Sequence, residues 1–305
     1  MPLRLGTRGS ALARWQAQWV AAELRQRGIE VEMIPITTKG DRRHEAIETI
    51  GGEGIFTKEI QLALLDGRID LAVHSLKDLP TVEAPGLALA AVPQRAAAGD
   101  ALVSAGGATL DQLPEGATIG TGSLRRRAQL LHFRRDLQMA DIRGNVDTRL
   151  QKLRQGGCDA LVLAEAGLRR LELATQITQT LPFGIMLPAV GQGALGLETR
   201  ADDAATRAAV APLDDPPTHA AVLAERAMLS MLEGGCMAPV AGLGRVEGSQ
   251  LTLTGRVISL DGTQVLEATQ SAPAADAQAL GCRVAEALLS DGAGGLILAS
   301  RGKTG

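Results

Sequence analysis

The stretch HSLKDLPT at residues 74–81 sets an imidazole, a hydroxyl, an ammonium and a carboxylate directly after the apolar run IDLAV at 69–73. Opposite charges at the end of a buried strand are costly unless something binds there. Similar clusters recur along the chain. GTRGS (6–10) supplies Arg8 and Ser10, GTGSLRRR (120–127) supplies Thr121, Ser123, Arg125 and Arg126, and RGNVDTR (143–149) supplies Arg143 and Arg149. Each stands where a strand pattern hands over to a helix pattern. In open parallel sheets the carboxyl ends of the strands line the ligand crevice. Helix N-termini there present free N–H groups and partial positive charge, and the planar guanidinium fork matches carboxylate or phosphate. Four basic junctions on one expected edge therefore point to a site for several anionic groups. No GxGxxG or GxxxxGK[ST] fingerprint accompanies them, so carboxylates fit better than nucleotide phosphate.

Each residue also has a plainer reading. A single Arg after a strand is commonly a solvated charge, and Ser10, Ser123 and Asn145 suit helix N-caps that need no ligand. Side chains fan out by about 100° per residue on a helix, so one of Arg125, Arg126 and Arg127 faces water. Asp78 alone reads as a local ion pair or an Asp-Leu-Pro turn. On an extended backbone Lys77 and Asp78 point to opposite sides, which lets Lys77 hold a carboxylate while Asp78 faces a cationic or N–H centre. Cys158, at the head of an apolar strand, and Cys282, beside Ala285 and Leu289 in a helix, read as buried filler. Cys236 in EGGCMAPV differs, because two glycines and Pro239 give it the access a reactive thiol needs. The four histidines (44, 74, 132, 219) do not space with cysteine as metal ligands, so no metal site is expected.

The elements that must position these residues follow from periodicity. Expected strands are LRLG (3–6), VEMIPI (31–36), IDLAV, ATIG (117–120), QMADIR (138–143) and DALVLA (159–164). Helices are expected after Ser10, with Leu12, Trp15, Trp19 and Ala22 as the apolar stripe, over 58–66, and from Ser123 and Asn145. That alternation is the rhythm of parallel α/β domains. PAVGQGALGLE (188–198) reads as a glycine-rich return with one more strand. From Pro216 the character changes to a helix (219–232), a hairpin of strands 250–259 and 264–270 about Asp261-Gly262, and a helix near 274–290. Residues 37–57 form a long polar stretch of the kind used for lids or binding loops.

Composition narrows the function. The 31 basic and 34 acidic side chains nearly cancel, the net charge is −3 and there is no Tyr. A global field for nucleic acid and a stacking platform for bases are both missing. No 18-residue apolar run exists to span a bilayer. An N-terminus without a signal-peptide core and three sparse cysteines point to the cytoplasm.

With these residues collected, the chain resembles the porphobilinogen deaminase family over nearly its whole length. The resemblance rests on GTRGSALARWQA, GIFTKEIQLALLDGRIDLAVHSLKDLPT, GTGSLRRRAQLL, DIRGNVDTRLQKL, LPAVGQGALG and GGCMAPVAG, in the family's order. It implies two α/β domains like type II periplasmic binding proteins (1–93 with 194–211, and 99–187) and a small α+β domain (216–305). It implies one dipyrromethane cofactor per chain, thioether-linked to Cys236, and Asp78 as the catalytic carboxylate. Arg8, Ser10, Lys77, Thr121, Ser123, Arg125, Arg126, Arg143, Arg149 and Arg170 match positions that hold the acetate and propionate groups of cofactor or substrate. Phe56 falls in the loop bordering the cleft. The implied activity condenses four porphobilinogen molecules into hydroxymethylbilane for tetrapyrrole biosynthesis, in a monomer with no nucleic-acid or membrane partner. Two positions depart from the family pattern: Glu53 stands where many relatives have Lys, and Gly122 where Ser is frequent. The competing expectation is a cytosolic two-domain receptor for small carboxylates or oxyanions, which gives Asp78 and Cys236 no task.

Overall fold

A computed structural model of the 305-residue chain describes residues 1–36, 57–234 and 238–301. These residues form two compact units, Met1–Ala96 with Ala194–His219, and Ala97–Gly193 with Ala220–Gly305. In chain order the first unit opens with β1 (Leu3–Thr7), α1 (Ala11–Gln26), β2 (Val31–Pro35), α2 (Lys58–Leu65), β3 (Leu71–Ser75) and β4 (Leu87–Ala91). The second unit begins with β5 (Asp100–Ser104), β6 (Thr118–Gly120), α3 (Leu124–Phe133), β7 (Gln138–Ala140), α4 (Val146–Arg154), β8 (Ala160–Ala164), α5 (Glu165–Arg170) and β9 (Gln179–Thr180). The chain returns to the first unit with β10 (Leu195–Arg200) and α6 (Ala204–Val210). It then runs through α7 (Pro216–Met231), β11 (Val240–Glu247), β12 (Gln250–Ile258), β13 (Val265–Pro273), α8 (Ala277–Ser290) and α9 (Ala293–Arg301).

The first sheet has the order β2-β1-β3-β10-β4 and the second β7-β6-β8-β5-β9. In the first, β1 runs parallel to β2 and β3 while β10 is antiparallel to both its neighbours. In the second, β6 is parallel to β7 and β8 while β5 is antiparallel to β8. Both are mixed sheets in which one strand, β10 or β5, runs against the other four, and the three-stranded antiparallel sheet β11-β12-β13 completes an α/β architecture with a small C-terminal α+β part.

Strand alternation sends successive side chains to opposite faces, and each sheet is covered on both. In the first unit Leu5, Leu71, Val73, Leu195 and Leu197 pack under α1, while Ala72 joins Ile60, Ala63 and Leu64 of α2 on the other face. In the second, Leu102, Ile119 and Val162 meet Leu130 of α3, and Val103, Leu161 and Leu163 meet Leu150 and Leu153 of α4. The C-terminal sheet buries Leu251, Leu253 and Val257 against Met228 of α7 and Val284 and Leu288 of α8.

Several expectations hold and several shift. Ser10, Ser123 and Asn145 cap α1, α3 and α4 through their side-chain oxygens, accepting from Ala13, Arg126 and Thr148 N–H. The stripe of α1 is Ala17, Val20, Ala21 and Leu24 rather than the tryptophan-led set; Trp15 and Trp19 are half-buried and Ala22 is exposed. Small residues let the helix lie close to the sheet, and burial of Val20 and Leu24 contributes about 1.5–3 kcal/mol each. The third strand starts and ends two residues later than IDLAV, so His74 and Ser75 belong to it. Residues Leu76–Asp78 form one 3-10 turn, not an extended run. Successive side chains there diverge by about 120°, so Lys77 and Asp78 are not on opposite sides. The strand β11 was not expected, because Gly242 and Gly244 interrupt its apolar alternation. The loop expected over 37–57 lies, except for Thr57, outside the described residues, as do Glu53 and Phe56.

Helices α7 and α8 meet at Gly281. A Cβ there would press on the backbone oxygen of Ala224 and lie 2.7 Å from Ala227 Cβ and 2.9 Å from Met228 N. Two of those atoms are backbone and cannot step aside. Gly281→Ala should therefore lower stability by about 1–3 kcal/mol, despite the roughly 1 kcal/mol helix-propensity gain. A urea midpoint that rises in this variant would contradict the close approach.

Candidate functional site

In the first unit the carboxyl ends of β1 and β3 are neighbours, with Leu5 in register with Leu71. Arg8 and Ser10 leave one strand, and Lys77 and Asp78 leave the other. Arg8 and Lys77 are half-buried and Asp78 is exposed. The 3-10 turn that carries Asp78 is anchored on three sides. Leu76 N–H donates to Ala194 O (3.1 Å) and Leu79 N–H to Leu76 O (3.2 Å), and Gln16 Nε2 of α1 donates to Ser75 Oγ (2.8 Å) at the end of β3. Beneath the turn, His74 Nε2 lies 2.9 Å from Glu198 Oε2, and Gln61 Nε2 donates to Glu198 Oε1 at 2.9 Å. His74 is thus spent inside the sheet, on a carboxylate from β10.

In the second unit β7, β6 and β8 lie side by side and parallel, so the residues that follow them share one edge. Thr121, Ser123, Arg125 and Arg126 follow β6, Arg143 and Arg149 follow β7, and Arg170 ends the helix after β8. The expectation of four junctions on a single edge is corrected accordingly: two belong to the first sheet and two to the second.

Arg125 and Arg126 are 4% and 5% exposed and converge on Asp100, which is 0% exposed. Arg126 donates to Asp100 Oδ1 through Nε (2.9 Å) and Nη2 (2.7 Å), and its Nη1 donates to Val162 O at 3.0 Å. Arg125 Nη1 donates to Leu187 O at 2.6 Å and lies 2.8 Å from Asp100 Oδ2 in an ion pair. That ion pair is not aligned as a hydrogen bond. Gln192 Nε2 adds a contact to Asp100 Oδ1 at 3.1 Å. Burial works to raise the Asp100 carboxyl, but the charges of Arg125 and Arg126 outweigh it and hold it at about 2. Burial also pulls the Arg125 guanidinium below its ordinary range, against the opposing pull of Asp100. Two buried cations on one anion leave a local excess of one positive charge, a setting that favours an incoming carboxylate. Arg127 is exposed, as the helical fan requires.

Arg170 repeats the theme. Its Nη2 donates to Gly193 O at 2.7 Å, and burial pushes its guanidinium down to about 10. A bound anion would restore what desolvation removes. Arg143 is exposed and its Nε meets both oxygens of Asp141 at 3.1 and 3.0 Å, a pair worth under about 1 kcal/mol. A Cβ at Gly122 would lie 3.0 Å from Asp141 Oδ1 and 3.1 Å from Arg143 Cγ, so the Asp141–Arg143 pair uses the room that this glycine leaves. Arg149 Nε donates to Gly144 O at 2.8 Å. Thr121 is buried and its Oγ1 accepts from Ser123 N–H at 3.2 Å. Cys158 is buried and Cys282 half-buried, while Cys236 lies outside the described residues. Among the described residues no group of His, Cys, Asp and Glu converges as metal ligands.

Asp100, Gln16, Glu198 and Gln192 were not singled out from the sequence. The one available signal was Asp100 itself, an acid opening the apolar strand DALVS, which is expensive unless a cation waits for it.

Fold and site together define an α/β protein with two mixed five-stranded sheets and basic side chains following the carboxyl ends of their parallel strands. Comparison with known proteins narrows this further. Residues 3–208 match the family model "Porphobilinogen deaminase, dipyromethane cofactor binding domain" and residues 219–290 match "Porphobilinogen deaminase, C-terminal domain". Porphobilinogen deaminase of Syntrophotalea carbinolica is 50% identical over 300 residues, covering 97% of this chain and 95% of that protein. That of Desulforudis audaxviator is 52% identical over 296 residues, covering 96% of each. Among solved structures, the methionine binding protein MetQ aligns with a TM-score of 0.45 and 12% identity over 69% of this chain and 89% of that one. The chain belongs to the porphobilinogen deaminase family.

The Asp100 pair has a pH signature. A carboxyl lowered from 3.8 to about 2 on folding stabilises the protein above pH 4, and that stabilisation is lost as pH falls towards 2. The linked contribution is about 2 kcal/mol. Asp100→Asn leaves two buried guanidinium groups without a counter-charge and should lower stability by about 3–5 kcal/mol at neutral pH. In urea unfolding followed from pH 7 to pH 2, the gap between wild type and variant should stay constant down to about pH 4 and then narrow. A gap that is flat throughout would show that Asp100 is not ionised in the pair.

Proposed function

We propose that the chain catalyses the head-to-tail condensation of four porphobilinogen molecules into hydroxymethylbilane with release of ammonia, the step of a hydroxymethylbilane synthase in tetrapyrrole biosynthesis. The observation that carries this reading is the buried Arg125–Asp100–Arg126 cluster with its excess positive charge, found within a chain that matches the family over both its models.

Porphobilinogen is a pyrrole with two carboxylates and an aminomethyl arm. The arginines and Lys77 take the carboxylates, through charge-assisted bonds of about 1.5–3 kcal/mol each. The donor set fits a dipyrromethane cofactor, whose acetate and propionate groups need the same cations. We assign its attachment to Cys236 and its carboxylates to Thr121, Ser123, Arg125, Arg126, Arg143, Arg149 and Arg170 in the second unit and to Arg8, Ser10 and Lys77 in the first. When bound, that group supplies a primer with a free pyrrole carbon. Ser10 and Ser123 serve through their helix ends, since their hydroxyls already cap α1 and α3 and thereby aim further backbone N–H groups outward.

Asp78 is the catalytic carboxylate in this reading. Loss of ammonia leaves the substrate pyrrole with positive charge, and a carboxylate that accepts the ring N–H stabilises it, the anionic counterpart of an oxyanion hole. The same carboxylate can take the proton lost when the new bond restores aromaticity. The anchored 3-10 turn keeps Asp78 at a fixed place while its exposure leaves it reachable. Three sheets with separate cores support a division into 1–93 with 194–211, 99–187 and 216–305. A cytoplasmic monomer without nucleic-acid or lipid partners completes the proposal; the net charge is −3, and among the described residues no helix is long and apolar enough to cross a membrane.

The intact mass of the purified protein tests the reading. It should exceed the polypeptide mass by one dipyrromethane and step upward by whole pyrrole units after brief exposure to porphobilinogen; Cys236→Ser should abolish both. A carboxylate receptor on the same fold would carry no added mass. Asp78→Ala should fold normally and retain the added mass while ammonia release falls about 10²–10³-fold, the usual scale for losing a preorganised charge contact. Near-normal ammonia release would remove Asp78 from its role.

A further inference from the structure

Helix α3, which carries Arg125 and Arg126 on its first turn, is gripped further along by the C-terminal sheet. Gln129 stands one turn after Arg125 and is 1% exposed. Its amide imitates a neighbouring β-strand: Oε1 accepts from Leu187 N–H at 2.9 Å, and Nε2 donates to Leu187 O at 3.0 Å. The Leu187 carbonyl is also the acceptor for Arg125 Nη1. Gln129 Oε1 takes a second donor, Arg256 Nη1 of β12, at 2.9 Å. Arg256 is itself held, by Glu267 of β13 (Nε 2.7 Å, Nη2 2.6 Å) and by Gly184 O (3.2 Å). In register it faces Ala241 of β11, five residues beyond Cys236. At the last turn of α3, His132 Nδ1 donates to Gly262 O at 2.9 Å, so the β12–β13 turn holds the helix at a second point.

We propose that Arg256 and Gln129 are positioning residues that fix the register between the strand following the cofactor cysteine and the anion-holding guanidinium of Arg125. This rests on the functional reading above. A satisfied contact between a buried amide and a half-buried guanidinium would stabilise any fold. Here, however, the carbonyl they fix is the one Arg125 donates to, so a shift of Gln129 passes to the guanidinium instead of dissipating in the core. A chain anchored at one end and gripped by its carboxylates needs a constant distance between anchor and grip. Small misplacements of such a grip lower kcat/KM well out of proportion to their size.

The test uses the full-length holoenzyme as wild type, Arg256→Met, Arg256→Lys, Gln129→Met and the double variant Arg256→Met with Gln129→Met. Intact mass, urea midpoint, and kcat and KM for porphobilinogen are measured for each. Every variant should carry the covalent primer. Arg256→Met and Gln129→Met should each raise KM about tenfold, with kcat within about threefold of wild type. The double variant should be no worse than the worse single one, and Arg256→Lys should recover most of the loss. Loaded variants with wild-type KM and only a lower urea midpoint overturn the proposal, as do strictly additive effects or a folded variant that fails to load. If Gln129→Met does not fold, the Arg256→Met and Arg256→Lys comparison decides. A wild type with no added mass takes down the functional reading and the proposal together, an outcome distinct from loaded variants with unchanged KM.

Discussion

The second unit depends on one carboxylate shared by two guanidinium groups. Asp100 opens β5 in the interior of a sheet, where burial opposes its charge, and Arg125 and Arg126 restore the ionised form. Removing Asp100 leaves two uncompensated charges in a poorly polarisable place, whereas removing either arginine leaves a one-to-one pair. The same imbalance that makes the cluster expensive gives it a use. One carboxylate cannot neutralise two arginines, so one positive charge is left over, and the proposed carboxylate site draws on it. Rigid placement follows from further contacts, because Leu187 O takes one donor of Arg125 and Val162 O one donor of Arg126.

The first unit differs, since it carries an exposed carboxylate, Asp78, on a fixed turn. Its device is a single 3-10 turn pinned to Ala194 O on one side and backed by the Gln16–Ser75 contact on the other. His74, the most conspicuous chemical group in HSLKDLPT, does not take part; it is turned into the sheet against Glu198. The division of labour is plain: Glu198 and Gln61 stabilise the platform, and Asp78 stands at its rim.

What was legible in the sequence was local. Ser10, Ser123 and Asn145 announce helix starts because capping is decided within three residues. The basic junctions announce themselves because strand and helix periods change beside them. What was not legible was long-range or steric. Nothing near Asp100 in the chain reveals Arg126, 26 residues on, and nothing near His74 reveals Glu198, 124 residues on. His74 looks like a strand terminator until that partner is known, which is why β3 appeared to end early. The tryptophans of α1 looked like its core because they are large, yet the close sheet admits only Ala17, Ala21 and slim aliphatics. Register is likewise invisible from one chain segment, so two edges read as one.

The place of β10 in the first sheet has a consequence for biosynthesis. This strand lies between β3 and β4, yet it is encoded after the whole of the second sheet. On the ribosome, β3 and β4 emerge with their facing margins open and must wait roughly a hundred residues for the strand that bridges them, since domains otherwise complete in order of emergence. The later-encoded sheet can close first, and the nascent amino-terminal half stays dependent on shielding until residue 200 has cleared the exit tunnel.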